Sequence, residues 1–217
     1  MERTPINVFS IEADGLKLPA PLGGHPAADF VNTLAGWDEP EQGDFLRTYD
    51  HVAVWAAAWG LIDDDVCADL RKRAADHRAA AGAALEAARQ LRTSIYRVLT
   101  EREPGSDLDA VADAARRAYE ASELDLRTGP ARWRLPATAG LRVPLHAIAR
   151  SATELITSPD ATAVHRCPGD GCGWLFIDRT GRRRWCTMAM CGNRAKARRF
   201  AERQRERVAT RRTAPGR

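Results

Sequence analysis

Cys167, Cys172, Cys186 and Cys191 form two pairs, each with four residues between its members, and thirteen residues separate the pairs. Thiolates offered from two such loops can converge on one tetrahedral zinc. A glycine follows each pair (Gly173 and Gly192), where a backbone without Cβ can curl its amide N–H groups toward the sulfurs. The expectation is one structural Zn2+ per chain on these four residues. Two disulfides are the competing chemistry. Against them, residues 1–8 lack the basic and apolar regions of a secretory leader, and no apolar run approaches the ~18 residues that span a bilayer. A cytoplasmic, reducing setting with no membrane partner is therefore expected, which leaves metal binding for the clustered thiols. Cys67, alone in a helical pattern, reads as a small buried hydrophobe. His165 is a fifth potential donor, for which four thiolates leave no role.

The charge is divided as sharply as the cysteines. The 217 residues carry 33 Lys+Arg and 29 Asp+Glu. From Ala161 onward there are 15 basic and 4 acidic side chains, whereas residues 1–160 hold 18 basic and 25 acidic ones. An acidic body with a basic end is the asymmetry expected when one end meets a polyanion. Arg outnumbers Lys thirty to three, as a GC-rich coding sequence would produce. That bias does not explain why the excess positive charge is confined to the cysteine-bearing end.

The elements that must position these residues are mostly helical. Residues 1–24 read as an extended lead-in with a strand near Val8–Ile11. Ala27, Phe30, Val31 and Leu34 then mark one buried helical stripe, broken over Asp38–Gly43. Val52, Trp55, Ala56 and Trp59 mark a second, ended by Gly60 at C′. Asp63–Asp65 open a third helix. A long helix carries Leu85 to Leu99 inward and stops at Glu103-Pro104-Gly105, and another runs from Ser106 or Asp107 to Tyr119. Leu124, Leu126, Trp133 and Leu135 alternate with polar residues about a Thr128-Gly129-Pro130 turn, which predicts a hairpin. Pro144 starts a last helix through Ile156, and Ser158-Pro159-Asp160 reads as a hinge. The expected fold is α+β: a mostly helical N-terminal domain with a small β-hairpin over residues 1–158, then a C-terminal treble-clef-like zinc finger over 161–212.

Within the finger, Trp174–Asp178 reads as an apolar strand that turns at Thr180-Gly181 and returns as Arg182–Trp185. Asn193 is expected to cap a helix running to about Arg211. Its Ala197, Phe200, Ala201 and Val208 stripe is expected to pack on Trp174, Phe176 or Trp185. Those two Trp could instead stack on unpaired bases, although a module so short of hydrophobes needs them as its core. Arg182, Arg183, Arg184, Arg194, Lys196, Arg198 and Arg199 are the candidate contacts to double-stranded DNA, with Arg203, Arg205 and Arg207 beyond them and Glu202 and Glu206 neutralising part of the charge. Loss of one ligand, such as Cys186, is expected to unfold the finger and spare the helical domain.

From Cys167-Pro168 through Cys172-Gly173-Trp174, Phe176 and Asp178 to Arg184-Trp185-Cys186, Met188 and Cys191-Gly192-Asn193-Arg194, the segment resembles the bacterial CGNR zinc finger over Arg166 to about Phe200. Upstream, Gly24, Asp29-Phe30-Val31-Asn32-Thr33, Tyr49, Trp55 and Gly60 are similar to the ABATE domain. The resemblance implies a stress-induced transcription regulator with zinc on the four cysteines, DNA contact through the finger and a small-molecule effector sensed by the N-terminal domain.

No catalytic constellation stands out in residues 1–160, so the chain is not expected to be an enzyme. The five His lack Cys or carboxylate neighbours at ligand spacing, and Gly23-Gly24 lacks the rest of a phosphate-binding fingerprint. Asn32 and Thr33, polar within an apolar stripe, either satisfy buried backbone or line a ligand pocket, and Arg92 is a candidate anchor for an anionic ligand or an ion-pair partner. A phosphate-gripping RNA- or ribosome-associated zinc protein is the alternative to a DNA-binding regulator. Homodimerisation is a further role open to the N-terminal domain.

Overall fold

The computed structural model describes residues 1–39, 43–126 and 129–213, with the side chains of all of these except 5, 6 and 207–213. Thr128, the middle of the 38–43 break and the side chains of Arg207, Val208 and Arg211 fall outside that description. The chain opens with three antiparallel strands, β1 (Thr4–Asn7), β2 (Ser10–Ala13) and β3 (Leu16–Pro19). Asp14 and Gly15 both have positive φ (47° and 72°), the two-residue turn whose twist matches the strands it joins. A three-stranded sheet thus replaces the single expected strand, and it buries Ile11, Ala13 and Leu18.

α1 (Pro26–Val31) is shorter than its apolar stripe suggests. The Thr33 hydroxyl and amide both donate to the Phe30 carbonyl, ending the helix, and Leu34 enters strand β4 (Leu34–Ala35), paired with β5 (Gly43–Asp44). α2 (Tyr49–Ala58) ends as expected, with Gly60 in the left-handed region. α3 (Asp64–Asp76) and α4 (Arg78–Thr100) meet at His77, whose backbone leaves the helical region. α5 (Ser106–Glu120) follows. Strands β6 (Glu123–Asp125) and β7 (Arg132–Arg134) form the expected hairpin. α6 (Val143–Ile156), with Pro144 in its first turn, packs against α1, α2, α4 and α5 and is the hub of the helical core. Trp55, fully buried, lies between the rings of Phe30 and Trp59, at 5.1 and 4.8 Å.

The finger comprises β8 (Val164–Arg166), β9 (Leu175–Ile177) and α7 (Asn193–Thr213). β9 pairs with β8, upstream of the first cysteine, so Cys167 and Cys172 lie in the hairpin's own turn. The expected return strand, Arg182–Trp185, is irregular because Asp178 gathers the chain into a loop: it accepts from Thr180 N, Thr180 Oγ1 and Arg183 N. Ser158–Asp160 is no free hinge. Ser158 Oγ accepts from Asp160 N to cap a short turn, and Asp160 is ion-paired to Arg179 across the boundary.

Candidate metal centre and nucleic-acid interface

The sulfurs of Cys167, Cys172, Cys186 and Cys191 all lie within 4.8 Å of one another, with Cys186 to Cys191 at 3.5 Å and Cys172 to Cys186 at 3.7 Å. Four sulfurs at 2.3 Å from a tetrahedral zinc are about 3.8 Å apart, so the donor set has the size the ion requires. Three are buried and Cys172 is half-buried. The neighbouring thiols that bond to Cys167 hold it far below the ordinary thiol range, while Cys186 is pushed up by the same crowding. Four sulfurs this close cannot all ionise without a cation among them, so metal binding must release protons.

Local sequence explains the loops. Gly169 has no room for a side chain: a Cβ there would lie 2.9 Å from Cys191 Sγ and 3.4 Å from Cys167 Sγ. At the second pair, Thr187 is the cap, accepting through its Oγ1 from Ala189 N. A wide turn over Met188–Gly192, closed by Gly192 N donating to Thr187 O, runs straight into α7. Asn193, the expected cap, is already helical and donates its amide back to Ala189 O. His165 stands on β8 beside the Phe176 ring, outside the sulfur cluster.

β9 has two cores, one on each face. Trp174 and Phe176 pack with the cysteines, Trp185 and Ala195, whereas Leu175 and Ile177 belong to the main core of the N-terminal domain. Period-two alternation puts adjacent residues on opposite faces, and here both faces are buried. The outer edge of β9 is closed by Asn32: its Oδ1 accepts from Leu175 N at 2.8 Å and its Nδ2 donates to Leu175 O at 2.9 Å. Ile177 N donates to Gly23 O, and Trp174 Nε1 to Leu34 O. Asp29 fixes the same region, accepting from Gly23 N and Trp59 Nε1. Burial pushes its carboxyl up to about 6 despite those two bonds.

This geometry corrects the expected ligand contacts. Asn32 and Thr33 are completely buried, and their polar groups serve the fold. Thr33 Oγ1 accepts from Arg92, whose guanidinium also forms a bidentate pair with Asp44 at 2.7 Å through each NH group. Arg92, 3% exposed, is therefore an ion-pair partner. Trp174 and Trp185 are buried as the finger's core, so neither presents a face for stacking.

Among the expected DNA contacts, Arg183 is turned inward. It donates to the carbonyls of Leu22, Trp185 and Cys186 and lies over the Phe176 ring. Arg182, Arg184, Arg194, Lys196, Arg198 and Arg199 are exposed, with Arg184 against Trp185 and Arg198 paired to Asp170 and Glu202. The apolar stripe of α7 does not pack: Ala195 is buried, but Ala197 and Ala201 are exposed and Phe200 is 58% exposed. Every residue from Lys196 to Glu206 faces solvent.

Residues 24–159 match the ABATE family, described as "Putative stress-induced transcription regulator", and residues 164–204 match the CGNR zinc finger. The chain belongs to the ABATE family. Among curated proteins no match to it is found. In this ABATE protein the Asp29–Thr33 segment, part of the sequence resemblance, is the dock for the finger, and the four finger cysteines form one Zn2+ site. Periodicity alone misses Asn32 as a clamp, Gly169 as a close approach and Thr187 as a cap. An amide within an apolar stripe was the one available signal for the first. Among the described residues no helix is long and apolar enough to cross a membrane.

Proposed function

We propose that the chain is a non-catalytic, cytoplasmic transcription regulator of the bacterial stress response that binds duplex DNA through its finger and responds to a small effector through its N-terminal domain. The observation that carries the reading is α7. Zinc and Ala195 anchor one end, and Lys196 to Glu206 then run with no packed side and five cations among eleven residues. Such a helix repels itself in isolation and fits a polyanionic groove that admits one helix. In this reading Arg182 and Arg184, exposed on the finger's loop, serve as phosphate contacts, and Arg194 and Arg198, exposed on α7, read base edges.

Fluorescence anisotropy against salt tests this. The Arg182→Ala/Arg184→Ala variant is expected to weaken binding to all duplexes and to reduce the log–log salt slope by about 2. Arg183 stays intact because its loss would disturb the fold. An unchanged slope, or preference for structured RNA over duplex DNA at equal salt, overturns the DNA reading.

The reading includes a homodimer, since half-site recognition doubles a small interface. Leu124 faces Trp133 in register, Leu126 shares their face, and Tyr119 meets Trp133 edge-on. All four are more than 40% exposed, and among the described residues β6 and β7 each have one neighbour, leaving an edge that a second copy can pair symmetrically. Leu126→Lys is expected to give a monomer in light scattering, and a wild-type monomer removes the dimer.

A further inference from the structure

Away from the finger, the α2–α3 turn, the β6–β7 hairpin and α6 enclose a cleft of about 200 Å3. That is below the usual size of drug-binding pockets, so it suits a very small ligand. Ser151 of α6 lines it, is 2% exposed and has no hydrogen-bond partner for its hydroxyl among the described residues. Among the hydroxyls on and just after this helix, the lack of a partner is particular to Ser151. Thr153 and Thr157 both donate back to carbonyls three or four residues earlier, the usual refuge of a helical hydroxyl. Ser151 forgoes that bond and lies, buried, in the wall of the cleft. A buried hydroxyl left unpaired costs stability, so its presence asks for a partner from outside the chain.

The charges around it come in both signs. Arg150, next to Ser151, is oriented by its bond to Trp133 O and by the Tyr119 ring, and its Nε has no partner. Arg132 stands exposed at the mouth. Glu154, one turn from Arg150, and Asp63 at the start of α3 supply the opposite sign, and Arg150 and Glu154 are not paired with each other. Arg134 is turned to Glu123 and Asp125 and serves the hairpin.

We propose that this cleft binds a small α-amino acid as its zwitterion. The carboxylate accepts from Ser151 Oγ and the Arg150 guanidinium, and the ammonium donates to Glu154 and Asp63. The site deepens the effector half of the proposed function and rests on that reading. The binding test needs no DNA, so failure of DNA binding leaves this site standing.

Calorimetric titration of the full chain with glycine, L-serine and L-glutamate tests it, with acetate and methylammonium as single-charge controls. At least one amino acid is expected to bind saturably at one site per chain, with the controls at least about tenfold weaker. Ser151→Ala is expected to raise the melting temperature of the ligand-free protein, because an unpaired buried hydroxyl is removed, and to weaken the amino acid about fivefold. Glu154→Gln, on an exposed position that spares the fold, is expected to weaken the amino acid and leave acetate unchanged. No saturable amino acid, acetate binding as tightly as the zwitterions, or undiminished affinity in both variants overturns the proposal.

Discussion

At the scale of single residues, buried polar groups decide how the two halves meet. Asn32 presents one acceptor and one donor to Leu175, copying what a neighbouring strand would offer. Truncation leaves a buried N–H and a buried C=O unpaired, each costing about 1–3 kcal/mol. Asn32→Ala is therefore expected to lose about 3 kcal/mol in urea denaturation. Asn32→Asp is expected to do no better, because a carboxylate cannot donate to Leu175 O. Asp29 makes a second test, through pH. Its folded carboxyl titrates at about 6, above the ordinary 3.8, because burial disfavours the charge. The native state then holds a proton the unfolded state has released, so stability falls as pH rises from about 4 to 6, by about 3 kcal/mol in full. His25 and His51, half-buried, titrate below their ordinary value and work in the opposite direction, because burial disfavours the charged imidazole. The difference in unfolding free energy between wild type and Asp29→Asn isolates the carboxyl. It is expected to move against the wild type across that window and to be flat above it.

At the scale of elements, local rules were legible where one element answers to one signal. Gly60 ends α2, Pro144 opens α6, and the Leu124–Trp133 alternation makes a hairpin, as periodicity and turn chemistry require. The four cysteines were legible for the same reason: metal geometry depends on spacing, and spacing is printed in the sequence. What was not legible depended on partners distant along the chain. The stripe through Leu34 promises a longer α1, yet Thr33 takes the Phe30 carbonyl and hands Leu34 to a strand that meets Trp174. The finger's strand pairs upstream because Asp178 diverts the arginines that follow it. The Asp14-Gly15 turn was a readable hairpin signal that Pro and Gly nearby obscured. Gly169 belongs to this scale too. Replacing it with Ala forces a Cβ against Cys191 Sγ, so zinc affinity measured by chelator competition is expected to fall at least about tenfold, with the four ligands intact.

At the scale of the whole molecule, the finger is not an appendage. Finger modules of this size depend on metal, with binding worth about 10–16 kcal/mol in zinc-finger peptides. The expectation that losing a ligand spares the helical domain assumes separate cores. Leu175 and Ile177 are instead 0% and 7% exposed within the main core, and Asn32, Gly23 and Leu34 each lose a partner if β9 leaves. Removing zinc from Cys167, Cys172, Cys186 and Cys191 frees β9 and uncovers the face of α1 that it covers. Chelation, or Cys186→Ser, is therefore expected to lower the melting temperature of the entire chain in one transition. Circular dichroism of α2–α6 and Trp fluorescence around Trp55 should change together. Two separated transitions, with the helical signal melting at its zinc-loaded temperature, would show that the N-terminal domain folds without the strand. A single transition makes zinc occupancy, and hence the redox state of the thiols, a determinant of the fold of the domain that carries the effector cleft.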